Sequence, residues 1–178
     1  MVGKQKFFLI GYMGSGKTTV GKQLAKKLNL QFIDMDLFIE NRYHKSISAI
    51  FEEKGEAGFR EIERKALSEI IDFENVVIST GGGLPCFFDN MDVMNQAGTT
   101  IYLKVNVEEL AKRLRTGKQQ RPLIKEKNAE EMKDFIAVNL EKREKFYNKA
   151  NFIFETDAPF SSENFKVKIE QLIENIQA

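Results

Sequence analysis

The sequence is poor in cysteine and carries almost no net charge. Cys86 is the only cysteine among 178 residues, so neither an intrachain disulfide nor a cysteine-rich metal site can form, which favours a reducing cytoplasm. The 27 basic residues nearly balance the 26 acidic ones, so no overall field favours nucleic acid or an anionic membrane. No apolar run is long enough for a membrane span or a signal peptide.

The composition is that of a globular protein. Apolar residues make up 42% of the chain and charged residues 30%, and the length suits one domain with a proper core. We find no repeats, no low-complexity tract and no linker, so we expect a single domain over 1–178. The near-zero net charge and the lack of an obvious exposed apolar patch favour a monomer.

Short apolar runs alternate with amphipathic segments along the chain. The predicted strands are Lys6–Ile10, Gln31–Ile33, Val76–Ser79, Thr100–Val105 and Phe152–Phe154. Helices are predicted from Lys17 to about 28, in two or three pieces between 37 and 70, after Val107, from Asn128 to about 149, and after Ser161 or Ser162. This order predicts an α/β fold in which helices cover both faces of a five-stranded parallel sheet, a three-layer α/β/α arrangement.

A glycine-rich loop follows the first predicted strand. The segment from Gly11 to Thr18 reads GYMGSGKT and fits the phosphate-binding pattern G-x-x-x-x-G-K-[ST]. Glycines let backbone N–H groups surround a phosphate, and the helix beginning near Lys17 adds its positive end. Lys17 is expected to reach the β- and γ-phosphates, and the Thr18 hydroxyl to bind Mg²⁺. The predicted nucleotide-binding residues of this loop are Gly14, Ser15, Gly16, Lys17, Thr18 and Thr19.

Other classes of P-loop protein lack support in the sequence. A GTPase reads guanine with Asn-Lys-x-Asp, whereas the nearest string here, NKAN from Asn148 to Asn151, lacks the carboxylate. A motor ATPase carries a strand that ends in Asp-Glu, whereas Val76–Ser79 is followed by Thr80 and three glycines. A nucleic-acid-handling ATPase is usually longer and more basic. The pattern therefore favours a compact kinase with a small acceptor.

Asp34 and Asp36 follow the second predicted strand, at the edge where an open α/β sheet binds its ligands. In an extended segment, residues two apart point the same way, so both carboxylates are expected to face the phosphate loop. One can hold the water shell of Mg²⁺ and the other can accept a proton from an attacking hydroxyl. The alternative is a structural turn in which Asp36 caps a helix from Leu37.

Further motifs follow in a fixed order. They are Asp34-x-Asp36, Phe59-Arg60-x-x-Glu63, Gly81-Gly82-Gly83, Arg121-Pro122-Leu123 and Arg143-x-x-x-Tyr147. With the glycine-rich loop, their joint order and spacing resemble the shikimate kinase family from about Lys6 to Asp157. The resemblance implies a P-loop fold like that of nucleoside-monophosphate kinases, with a substrate-binding helical insertion over about 36–72 and a mobile lid over about 115–127.

The resemblance also implies a reaction and its residues. The family transfers the γ-phosphoryl group of ATP to the 3-hydroxyl of shikimate, with Mg²⁺, a step towards aromatic amino acids. The residues that would bind shikimate are Asp36, Arg60, Gly82 and Arg143. The two arginines would bind its carboxylate, Gly82 would contribute its backbone N–H, and Asp36 would bind the hydroxyl that is phosphorylated. The implied catalytic residues are Lys17, Asp36 and Arg121. Asp34 would join Thr18 at the metal, and Glu63 would orient Arg60.

Basic residues near the predicted lid are the expected contacts of ATP. Arg121 would reach the phosphates from the lid, and Arg115, just before Thr116-Gly117, is the best candidate to stack on adenine. The family often has another basic residue near adenine, before the last helix. Here residues 157–162 read DAPFSS and contain none.

Structural alternatives remain open at several positions. Arg60 and Glu63 could form an exposed helical ion pair, and Arg143 lies in the charged run EKREK, which is typical of a solvated helix face. The three glycines could form only a flexible strand exit. His44 and Cys86 suggest no role: we expect a loop residue and a packed thiol.

Two other functions are compatible with the loop. One is another small-molecule kinase of this fold, of gluconate or nucleoside-monophosphate type. A nucleotide acceptor would need more basic residues around its phosphate and an aromatic slot for its base. The other is a non-catalytic ATP-binding regulator, against which the intact Lys17, Asp34, Asp36 and Arg121 argue.

Overall fold

Five parallel strands form one sheet in the order β2-β3-β1-β4-β5. The computed structural model describes residues 5–116, 128–155 and 162–177. The strands are β1 (Lys6–Ile10), β2 (Gln31–Asp34), β3 (Val76–Ser79), β4 (Thr99–Lys104) and β5 (Phe152–Glu155). All five predicted strands are therefore confirmed, each within a residue or so of its expected bounds.

Helices connect the strands and cover the sheet. They are α1 (Lys17–Leu28), α2 (Met35–Tyr43), α3 (Ile47–Ile70), α4 (Asn90–Ala97), α5 (Val107–Thr116), α6 (Ala129–Tyr147) and α7 (Glu163–Gln177), with a 3₁₀ turn at Leu84–Cys86. Asn128 caps α6 in a capping box with Glu131, and the Ser162 hydroxyl accepts a bond from the Phe165 N–H at the start of α7. Both starts were predicted.

The alternation of side chains along β1 divides the core into two layers. Phe7 and Leu9 pack on one face with residues of α1 and α7, whereas Phe8 and Ile10 pack on the other with residues of α2 to α6. Successive residues of a strand point to opposite faces, so a strand with both faces covered is continuously apolar. The three-layer α/β/α prediction is confirmed.

Helix α3 contains a break in its backbone that bears on the site. Ser46 caps the helix through a bond from the Ala49 N–H. Gly55 then adopts φ 68° and ψ −178° in the middle of the helix, a conformation that favours glycine. The segment after Gly55 carries Glu56, Arg60 and Glu63.

Part of the predicted lid lies outside the described residues. No structure is described for residues 117–127, which include Arg121, or for residues 156–161, which precede the last helix. Arg115 and Thr116 are described at the end of α5. Among the described residues, no helix combines the length and apolarity that a membrane crossing requires.

Candidate active site

The glycine-rich loop between β1 and α1 has the backbone that phosphate binding needs. Gly11, Gly14 and Gly16 have φ angles of 141°, 81° and 95°, values that other L-residues rarely adopt. Gly16 is the N-cap of α1 and makes no side-chain cap bond, an arrangement that is typical of helix N-termini that bind anions. The loop thus presents backbone donors at the carboxyl edge of the sheet.

Lys17 lies across this loop. Its Nζ donates to the carbonyl oxygens of Gly11, at 2.9 Å, and Tyr12, at 3.0 Å. These contacts hold the ammonium group against the loop, within reach of any phosphate that the loop binds. Ser15 is fully buried beneath it.

Asp34 and Thr18 meet at the same edge. The Thr18 hydroxyl donates to Asp34 Oδ2 at 2.8 Å, and Asp34 Oδ1 accepts from the N–H groups of Asp36 and Leu37. Asp34, rather than Asp36, is therefore the N-cap of α2. The expectation of an extended 34–36 segment is wrong, because Asp36 lies in the first turn of α2. Both carboxylates nevertheless line one cavity.

That cavity has a volume of about 390 Å³. It contains the predicted residues Gly14, Gly16, Lys17, Thr18, Asp34, Asp36 and Gly82, together with Met13, Ser79, Thr80, Arg113 and Thr116. Ser15 lies behind this lining, and Thr19 is exposed on α1. The loop, the acidic pair and the glycine triplet thus meet in one cleft, where an open α/β sheet binds ligands.

Arg113 is a residue of this cavity that the sequence analysis missed. Its Nε donates to Glu109 Oε1 at 2.8 Å and its Nη1 to the Ser15 carbonyl at 3.3 Å. Arg115 is exposed at the end of α5 and is not among the lining residues. Helical periodicity could have indicated that only one of the two arginines faces the cavity. Residues two apart on a helix point in clearly different directions.

Arg60 and Glu63 form a buried ion pair beside this cleft. Arg60 Nη1 lies 2.6 Å from Glu63 Oε2, and Nη2 lies 3.0 Å from Glu56 Oε1. The Arg60 and Glu63 side chains are only 11% and 2% exposed, so the alternative of an exposed surface pair is wrong. Because burying charges is costly unless they are paired, this arrangement indicates a specific use.

Aromatic rings enclose the Arg60 guanidinium. Its Cζ lies 4.3 Å from the ring centroid of Phe87, 5.5 Å from that of Phe59 and 5.7 Å from that of Phe51. Such contacts favour a cation and remove water from it. A carboxylate bound here would meet a positioned and largely desolvated arginine.

Burial and neighbouring charges shift the pKa values of this pair. Burial raises the pKa of Glu63 to about 7, against the opposing effect of Arg60 and with a further rise from Asp36. Burial alone would lower the pKa of Arg60, but Glu63 and Glu56 outweigh that effect and raise it. Arg60 is therefore permanently charged, while Glu63 can take up a proton near neutral pH.

The glycine triplet after β3 brings the separate parts of the site into contact. A Cβ placed on Gly81 would lie 2.5 Å from Glu63 Oε1 and 3.4 Å from Asp36 Oδ1. One on Gly82 would lie 3.2 Å from the Gly11 oxygen and 3.7 Å from Arg143 Nη1, and one on Gly83 would lie 2.6 Å from Arg60 Nη1. The triplet is therefore closely packed against these groups, which contradicts the alternative of a flexible segment after the strand.

Arg143, on α6, lies close to this glycine triplet. Its guanidinium lies 5.2 Å from the ring centroid of Tyr12, which contradicts the alternative of a solvated face. One turn later, the buried Tyr147 hydroxyl donates to the Gly82 carbonyl at 2.5 Å. Two residues four apart on one helix thus lie next to Gly82, which explains the Arg-x-x-x-Tyr spacing.

His44 and Cys86 gain no chemical role from the structure. His44 is an exposed residue at the C-terminal end of α2, with φ 50°. Cys86 is half-buried in the 3₁₀ turn, and burial raises the pKa of its thiol to about 11, so it stays protonated and unreactive.

Known proteins are similar to this chain in sequence and in fold. The family model for shikimate kinase matches residues 13–176. A shikimate kinase of Parabacteroides distasonis is 60% identical over 153 residues, which cover 86% of this chain and 88% of the relative. The 1.7 Å crystal structure of shikimate kinase from Bacteroides thetaiotaomicron superposes with a TM-score of 0.95 at 50% identity, covering 98% and 99% of the two chains.

A more distant solved structure agrees. Shikimate kinase from Acinetobacter baumannii, solved in complex with shikimate, superposes with a TM-score of 0.81 at 34% identity, and the match covers 96% of this chain and 93% of that one. The family model, the 60% identical relative and both superpositions point the same way. The chain belongs to the shikimate kinase family.

Proposed function

We propose that this kinase transfers the γ-phosphoryl group of ATP to the 3-hydroxyl of shikimate, giving ADP and shikimate 3-phosphate. The observation that carries the proposal is the packing of Gly81–Gly83 against the phosphate loop, Asp36 and both arginines. The phosphate loop, an acidic residue and a buried guanidinium thus all lie against one glycine triplet. Family membership and the shikimate bound to the Acinetobacter baumannii relative support the same substrate.

Each side chain has a proposed task that follows from its chemistry. Arg60 and Arg143 hold the acceptor carboxylate, because planar guanidinium groups bind carboxylates through two parallel hydrogen bonds. Asp36 accepts the proton of the reacting hydroxyl. Lys17 stabilises charge on the transferred phosphoryl group. Arg121 stays a prediction, because it lies outside the described residues.

Magnesium is the cofactor that the residues of the cleft fit. Thr18 and Asp34 supply oxygen atoms 2.8 Å apart next to the phosphate loop, and Mg²⁺ prefers oxygen ligands, with waters and substrate phosphates completing its shell. We propose that these two residues hold the ion, directly or through water. When bound, Mg²⁺ neutralises phosphate charge during transfer.

The adenine contact and the wider setting are also proposals. We propose that Arg115 stacks on adenine at the open end of the cleft, and that Arg113 supports the loop from below. We propose one kinase domain over 1–178, with 36–72 as the acceptor insertion, that acts as a cytoplasmic monomer. Near-zero net charge and a single cysteine support this setting.

A coupled assay of ADP release tests the proposed substrate. With ATP and Mg²⁺, we expect rapid release with shikimate and only background release with gluconate, nucleoside monophosphates or no acceptor. Lys17→Ala should lower kcat/KM by about 10³-fold or more while the fold stays intact. Rapid turnover of gluconate or a nucleotide instead of shikimate would contradict the proposal, and so would ADP release that no acceptor changes.

A further inference from the structure

The three donor nitrogens of Arg60 have unequal partners. Nη1 donates to Glu63 Oε2 at 2.6 Å, and Nη2 donates to Glu56 Oε1 at 3.0 Å. Nε is buried and has no hydrogen-bond partner among the described residues. Because an unpaired buried donor is costly, the guanidinium is incompletely satisfied in the free protein.

The two glutamates hold Arg60 in different ways. The Glu63 side chain is 2% exposed, whereas the Glu56 side chain is 63% exposed. An exposed carboxylate regains water when it leaves its partner, so the Glu56 contact is easily exchanged. The Glu63 contact is not, because separation would leave a buried charge without a partner.

The backbone next to Glu56 permits such an exchange. Gly55, the preceding residue, has non-helical angles that separate the two parts of α3. A Cβ at Gly55 would meet no described atom within 4 Å. Glu56 thus begins the second helical segment, and because its side chain is 63% exposed, it can turn towards solvent without moving Arg60.

We propose that Glu56 is a stand-in carboxylate: it occupies Nη2 of Arg60 in the free enzyme and is displaced when the acceptor's carboxylate binds there. This inference rests on the proposed function, because it assumes that Arg60 receives the acid. The incoming carboxylate takes Nη2 and offers an acceptor to Nε, while Glu63 keeps Nη1. Glu56 therefore competes with the substrate, and it weakens binding of acids at this position.

The competition has a measurable size. Exposed ion pairs contribute roughly 0.2–1 kcal/mol. Because the Arg60 side chain is only 11% exposed, we expect the upper half of this range, about 0.5–1 kcal/mol, so removing the Glu56 charge should tighten acceptor binding by about two- to five-fold. The gain requires a carboxylate on the ligand. A neutral ester of shikimate cannot replace Glu56 as a charged partner, so its binding should change little.

Calorimetric titration of the full chain with shikimate, and separately with its methyl ester, tests the proposal. In Glu56→Gln we expect the Kd for shikimate to fall about two- to five-fold, the Kd for the ester and the KM for ATP to stay unchanged, and kcat to stay within about two-fold. Glu61→Gln is the matched control: it removes one charge from an exposed position of the same helix and should leave both Kd values unchanged.

Two results would overturn the proposal. A weaker or unchanged Kd for shikimate in Glu56→Gln would show that Glu56 supports Arg60 or is only a surface contact. An equal gain in the ester, or in Glu61→Gln, would show a general charge effect instead of displacement. The proposed function is judged separately on wild-type turnover of shikimate, so either idea can fail while the other stands.

Discussion

At the scale of single residues, Arg60 and Arg143 are the side chains that should distinguish acceptor binding from ATP binding. Each offers a charge-assisted hydrogen bond to the acid, of the kind that contributes roughly 1.5–3 kcal/mol. Arg60→Ala and Arg143→Ala should therefore each weaken shikimate binding by at least about ten-fold and change ATP binding little. Calorimetry with each ligand measures both effects. Normal shikimate binding with poor ATP binding in either variant would place that arginine on the nucleotide instead.

Gly83 gives a second prediction at the scale of single residues, in which a methyl group is added instead of a side chain being removed. A Cβ at Gly83 would lie 2.6 Å from Arg60 Nη1 and 2.8 Å from its Cζ, closer than real contacts allow. Gly83→Ala should therefore displace the guanidinium and raise the KM for shikimate by about ten-fold or more, with a much smaller change in the KM for ATP. Steady-state kinetics with each substrate varied checks this split. Equal rises in both KM values would point to general disruption of the site.

Individual residues also show where sequence reasoning reached its limit. Lys17 and Thr18 were predicted from a local motif and Asp34 from its position after the second strand, and the structure places all three in one cleft. The burial of Arg60 could not be predicted from the Arg60–Glu63 spacing alone, because part of it arises from Phe87, which lies far along the chain from this helix. The contact between Arg113 and the Ser15 carbonyl could not be predicted either, because the two residues lie far apart in the sequence.

At the scale of elements, the five strands and most helices were predictable from the sequence, whereas the short helix α4 was not. Continuous apolar runs define strands that are buried on both faces. Helix α4 escaped prediction because it has only eight residues and its N-cap, Asp89, makes no side-chain cap bond. Tertiary contacts fix it instead: Asn90 donates to the Leu84 carbonyl and accepts a bond from Arg64.

Helix α6 allows an element-scale prediction, because it carries both Arg143 and Tyr147. The Asn128 side chain accepts from the N–H groups of Glu130 and Glu131, and the Glu131 carboxylate accepts from the Asn128 N–H. Asn128→Ala should lower the free energy of unfolding by about 1 kcal/mol. Urea denaturation measures this, with Lys133→Ala, an exposed change in the same helix, as the control. Equal stability of the two variants would show that the cap contributes nothing.

At the scale of the whole molecule, Glu63 should give stability a specific dependence on pH. Its pKa in the folded protein is about 7, above the ordinary value of 4.5, so the folded state binds this proton more tightly than the unfolded state does. The contribution of Glu63 to stability is therefore greatest below about pH 4.5 and is lost as pH rises through 7.

Comparison with Glu63→Gln isolates this effect, because glutamine does not titrate and all other carboxyl groups remain. We expect the stability of wild type relative to Glu63→Gln to decrease between about pH 5 and pH 7.5, as measured by urea denaturation at each pH. A difference that stays constant, or that grows with pH, would show that Arg60 keeps Glu63 ionised throughout.

The most direct test of the whole account is the phosphorus NMR spectrum of the reaction product. The proposed reaction requires both that shikimate is the acceptor and that Asp36 receives the proton of one particular hydroxyl. After incubation with ATP, Mg²⁺ and shikimate, we expect one new phosphomonoester signal, coupled to the hydrogen on carbon 3, and none with Lys17→Ala. A phosphorus signal coupled to another ring hydrogen, or only free phosphate beside ADP, would contradict it.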